Sequence, residues 1–227
     1  MKYELQTIPV WDGVRSDSEC FLCDLMVKGL NDSVDFYLGS SVMDEQTRLL
    51  VNKHGFCPPH WEALIEGGVP QALALISHTH LGERLKKLDF KQNNKKRRNA
   101  VNNEGEECLI CDKMEKRLQR YTFTIAYMWR KEEGFKEELL ASKGFCLYHL
   151  GHLLKMAPQA LRGEKLNEFH TAVTELVREN LLRLEEEVWW MTQKYKADNL
   201  DKPWRGCEEA QKRVIRKLNG VARLSGR

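Results

Sequence analysis

The chain has 227 residues, with 36 basic and 33 acidic side chains and a formal charge of +3. That balance is too even to point to nucleic acid by itself. No run approaches the roughly 18 apolar residues of a membrane span, and the start "MKYELQTIPVWDG" lacks the apolar core of a secretory signal. The expectation is therefore a cytoplasmic protein without a membrane span.

In chain order, the first feature is "CFLCD", Cys20 to Asp24, preceded by Asp17 and Ser18 as candidate helix caps. Leu22, Met26 and Leu30 follow at helical spacing. A shorter helix is expected from about Met43 to His54, ended by Gly55 in a left-handed cap. "GFCPPH" then brings Cys57 and His60 and opens a third helix, with Pro58 and Pro59 tolerated in its first turn because the amides there have no helical partner. "PQAL" (Pro70 to Leu73) and "HT" (His78, Thr79) come next.

The stretch Lys91 to Glu107 is polar and Asn-rich and reads as a linker. Beyond it the pattern returns. "CLICD" gives Cys108 and Cys111, and Ile110, Met114, Leu118, Tyr121, Ile125 and Met128 trace one face of a helix. A short helix is expected over Phe135 to Lys143, ended by Gly144, and "GFCLYH" supplies Cys146 and His149. "PQAL" recurs at Pro158 to Leu161 and "HT" at His170 and Thr171.

The cysteine pairs and the PQAL segments share an offset of 88, and 33 and 34 residues separate the second cysteine of each CxxC from the cysteine of the GFCxxH that follows. Several matches in one order at nearly one offset, with an insertion ahead of the second HT, indicate an internal duplication. A long helix follows through Leu166, Phe169, Val173, Leu176, Leu184, Val188 and Met191, about 40 Å in length. A final amphipathic helix carries Ala210, Val214, Leu218 and Val221 toward the bundle. No alternating run argues for a sheet.

The fold expected is all-α: two tandem pseudo-repeats of a metal-stapled helical unit plus a C-terminal helix. The boundaries expected are 1–90 for the first repeat, 91–107 for the linker and 108–227 for the second repeat with the long and docking helices.

Closely spaced thiols in a reducing compartment more often bind metal than form disulfides. CxxC and CxxH each place two donors close enough to share an ion, and a tetrahedral Zn²⁺ site needs four. The expectation is two Cys₃His sites, Cys20, Cys23, Cys57 and His60, then Cys108, Cys111, Cys146 and His149. Pairing across the two copies is the open alternative. Six thiolates and two Zn²⁺ would move the formal +3 to +1.

Iron–sulfur ligation is compatible with the same donors. A redox dithiol is the enzyme-like version, but it belongs to a βαβ context and would leave the third cysteine and the histidine unused. His78, His80, His152 and His170 read as packed or solvated side chains, and Cys207 as a lone buried thiol. Asp24 and Asp112 read as acids favouring a first helical turn, with a hydrogen bond to a ligating histidine as the alternative. Lys95, Lys96, Arg97 and Arg98, and the C-terminal Lys212, Arg213, Arg216 and Lys217, read as solvated charge, with nucleic-acid binding as the rival use. Walker, GxGxxG, HExxH and GxSxG signatures are absent, which leans away from an enzyme.

"TIPV", CxxC, GFCxxH, the second CxxC and CxxH, and "PWRG" with "EEAQKRVIRKLNG" together resemble, over nearly the whole chain, an uncharacterised bacterial domain-of-unknown-function family. Some of its members carry an automatic label as ABC-transporter substrate-binding proteins. The resemblance implies the ligand set and a helical fold, and it brings no activity. The resulting expectation is a metal-binding structural or interaction module, with an unknown protein partner left open; an iron–sulfur or thiol-dependent redox protein or enzyme is the alternative, and a nucleic-acid-binding protein the third reading.

Overall fold

A computed structural model describes residues 3–87 and 107–221. Most of the expected linker and its basic cluster Lys95 to Arg98 lie outside the described residues. Within them the architecture is all-α: α1 (Thr7–Val14), α2 (Phe21–Leu38), α3 (Glu45–His54), α4 (Pro58–Glu66), α5 (Pro70–Lys87), α6 (Leu109–Lys131), α7 (Phe135–Ala141), α8 (Leu147–Met156), α9 (Glu164–Lys194) and α10 (Ala210–Asn219).

The helices begin and end where local chemistry directs. Ser18 Oγ accepts from the Cys20 amide at 3.2 Å just ahead of α2, and the Asp44 carboxylate accepts from the Thr47 amide at 2.7 Å to cap α3. That cap starts α3 two residues later than the periodicity suggests, after a 3₁₀ turn at Ser40–Met43. Gly55 and Gly144, at φ 69° and 73°, turn the chain out of the preceding helical segments, a conformation that side chains with a Cβ rarely adopt. The helix α1 carries too little apolar periodicity to be read from sequence. The two PQAL segments also differ: the first opens α5, whereas the second lies in a 3₁₀ turn, Ala157–Gln159, and α9 waits until Glu164.

The chain forms two compact units, one drawn from Met1–Met26 with Leu118–Ala222 and the other from Val27–Arg117. In the first, Phe145 of GFC packs on Phe21 with ring centres 5.1 Å apart, Trp11 packs on Phe135, and Trp129 packs on Phe169. Phe169, Val173, Leu176, Val177 and Leu184 form the buried stripe of α9, where α8 and α10 also pack. In the second unit, Phe56 of the other GFC sits between Tyr37 and Trp61, at 4.9 and 5.0 Å. Each GF dipeptide therefore turns the backbone with its glycine and anchors it with its aromatic ring, which fixes the position of the next cysteine.

Candidate metal centres

In the first unit, Cys20 and Cys23 lie at the start of α2 and Cys146 and His149 at the start of α8. All four are buried. His149 Nδ1 stands 3.3 Å from Cys20 Sγ, 3.4 Å from Cys23 Sγ and 3.3 Å from Cys146 Sγ, while the Cys23 and Cys146 sulfurs are 3.7 Å apart.

In the second unit, Cys108 and Cys111 at the start of α6 meet Cys57 and His60 at the start of α4. There His60 Nδ1 is 3.1 Å from Cys57 Sγ, 3.2 Å from Cys108 Sγ and 3.3 Å from Cys111 Sγ, and Cys57 and Cys111 are again 3.7 Å apart. The donor atoms of each quartet all lie within 4.8 Å of one another.

These distances match a single small ion. A tetrahedral centre with bonds of about 2.3 Å to sulfur and about 2.0–2.1 Å to nitrogen has S···S edges of about 3.8 Å and S···N edges of about 3.5 Å. A disulfide would require sulfurs about 2.05 Å apart, and all seven cysteines are free thiols.

The electrostatics agree. Hydrogen bonds from Cys20 and Cys23 hold the Cys146 thiol down to about 3, and the same contact pushes Cys23 upward. Burial opposes ionisation of Cys108, but a hydrogen bond from His60 and backbone amides outweigh it and hold that thiol at about 6. Its neighbour Cys111 is pushed up, by burial first and then by Cys108. Three sulfurs this close cannot all be thiolates unless a cation stands among them, and a cation is what the donor set can hold.

The chain belongs to the family of unknown function DUF6062. Its family model matches residues 1–224. No curated protein and no solved structure matches the chain.

All eight expected donors of this DUF6062 chain are brought into quartets, but the grouping within each copy is corrected. The first CxxC meets the second GFCxxH, and the first GFCxxH meets the second CxxC. Local spacing places each pair of donors, and the long-range packing of the helices chooses the partner pair.

The remaining histidines stand outside both quartets. His80 is a packing residue: its Nδ1–H donates to the Val51 carbonyl at 3.0 Å, its Nε2 accepts from Arg84 at 3.3 Å, and its ring closes on Gly55. His152 packs on the Tyr148 ring, His170 is half-buried beside Phe169, and His78 is exposed. Burial raises the Cys207 thiol, which donates to the Arg205 carbonyl. Asp24 binds Ser18 Oγ and Arg216 rather than a histidine.

One expectation about charge is overturned. Lys217 does not face water: it is completely buried, and its Nζ donates to the carbonyls of Glu19, at 2.8 Å, and Lys143. Its ammonium also lies 3.9 Å from the Glu19 carboxylate, which Arg183 binds at 2.7 Å. The face of α10 that turns inward is therefore Ala210, Val214 and Lys217, and Leu218 is left substantially exposed. Beyond α10, Gly220 at φ 73° runs its backbone against the first quartet: a Cβ there would sit 3.4 Å from Cys146 Sγ and 3.7 Å from Cys23 Sγ. The available signal was the helix-ending "NG", which marks a turn but does not say what the turn covers.

Proposed function

We infer that each quartet holds one Zn²⁺ as a closed structural site, and that the protein is a zinc-stapled helical interaction module of a reducing cytoplasm. The observation that carries this reading is the pair of buried Cys₃His quartets with edges close to those of a zinc tetrahedron. Four protein donors fill the tetrahedron and leave no position for a substrate or activated water, which favours a structural site over a catalytic one.

An iron–sulfur cluster must fit several iron and sulfide ions inside its ligand shell, whereas these donors lie within 4.8 Å of one another. A dithiol couple would leave the histidine and third cysteine without a role. Nucleic-acid binding by the C-terminal helix is weakened because Arg213 is bound to Glu187, Arg216 to Asp24, and Lys217 is buried.

The direct test is metal analysis with an absorption spectrum on protein purified without oxygen. Two zinc ions per chain and no visible band are expected. Stoichiometric iron with broad visible absorption would replace this reading with the redox one.

A further inference from the structure

The first unit contains a second cluster of chemistry, built from residues the quartets do not use. Phe123, Tyr127 and Arg130 recur at spacings of 4 and 3 on α6 and so share one helix face. Tyr3 packs its ring 4.9 Å from Phe123, and Phe123 and Tyr127 stack with centres 6.3 Å apart. Arg162, just ahead of α9, and Lys165, in its first turn, complete the cluster. Together these six residues line most of a cavity of about 500 Å³. That volume is within the range of small-molecule sites, about 300–1,000 Å³.

The lining is chemically one-sided. Two arginines and one lysine face the cavity, and among the described residues no carboxylate lines it. Among the described residues, none of the three cations is ion-paired, although most other exposed arginines of this unit are: Arg15 holds Glu138 and Arg178 holds Glu175. Among the described residues, Arg130 lies beside the Tyr127 ring, 5.7 Å away. Three like charges converging, with no counterion among the described residues, raise the local potential for an anion. Guanidinium groups suit the oxygens of a phosphate, and three positive charges exceed what one carboxylate would require. Tyr3 and Tyr127, both half-buried, offer ring surface to a planar body, with the buried Phe123 packed against both.

We propose that this cavity binds a phosphate-bearing nucleotide unit, its base against Tyr3 and Tyr127 and its phosphate among Arg130, Arg162 and Lys165. The site is independent of metal identity. Arg130, Arg162 and Lys165 are exposed, so their removal leaves the core intact.

The test is calorimetric titration of the full-length, metal-loaded protein with adenosine 5′-monophosphate, adenosine, inorganic phosphate and a short oligoadenylate strand. Saturable binding of the mononucleotide is expected, with adenosine and phosphate each at least about tenfold weaker. The double variant Arg130→Ala, Arg162→Ala should weaken it by about tenfold or more while the melting temperature stays unchanged. If the oligoadenylate binds more tightly and displaces the mononucleotide, the nucleotide unit belongs to a strand; if the mononucleotide binds more tightly, the ligand is free. Absence of saturable binding, equal affinity in the double variant, or phosphate alone binding as well as the mononucleotide would overturn the proposal.

Discussion

At the scale of single residues, the donors were legible and their surroundings were not. CxxC and CxxH announce themselves because a three-residue step on a helix start brings two donors together whatever the rest of the chain does. Lys217 is the opposite case. In sequence it belongs to a basic run on an amphipathic helix, for which exposure is the ordinary expectation, but its ammonium finds two carbonyls and the Glu19 carboxylate in the interior.

Burial pulls its ammonium down to about 8, with Glu19 opposing the shift. Replacing it with alanine leaves those carbonyls without a donor and opens a void, so Lys217→Ala should cost about 2–4 kcal/mol in chemical denaturation. Lys217→Met keeps the stem and should recover part of that loss. Equal stability of wild type and both variants would mean that the buried ammonium contributes nothing net.

At the scale of elements, apolar spacing located the main helices. The α6 face from Ile110 to Met128 and the α9 stripe through Leu184 are buried as their periodicity requires. What spacing could not show is how helices are tied together by charge. Glu187 of α9 accepts from Arg183 one turn earlier and, at 3.1 and 2.6 Å, from the guanidinium of Arg213 on α10.

Burial tends to raise the Glu187 carboxyl, but its two arginine partners outweigh that and hold it below its ordinary value of 4.5. A carboxylate depressed in the folded state stabilises fully above its unfolded pKa and loses that contribution as the pH falls through the lower folded value. Glu187→Gln should therefore be less stable than wild type by about 1–2 kcal/mol at pH 7. The gap should begin to narrow as the pH falls below 4.5 and close below the lower folded value. Melting curves of both proteins across pH 3–8 would show it, and a gap independent of pH would reassign the effect to packing.

At the scale of the whole molecule, the duplicated motifs give the number and kind of donors, yet leave two ways to group them. The crosswise grouping spans far more chain: Cys23 meets Cys146 across 122 intervening residues, against 33 between Cys23 and Cys57. The additional loop-closure entropy grows only with the logarithm of length, about 1 kcal/mol for a fourfold longer loop, so packing of the helix starts decides the matter easily.

The grouping predicts how metal is lost. With one ion in each quartet, Cys20→Ser with Cys146→Ser damages one quartet and should leave about one metal ion per chain, no worse than either change alone. Cys20→Ser with Cys57→Ser damages both and should leave none. Grouping within each copy would reverse these results, because Cys20 and Cys57 would then share an ion while Cys20 and Cys146 would not. Serine is nearly isosteric with cysteine but a poor zinc ligand, so metal content measured against protein concentration reads the grouping directly. Circular dichroism on the same samples then tells whether each ion also holds its helices: loss of helix alongside metal is expected, since the ion replaces contacts that short helices cannot supply alone.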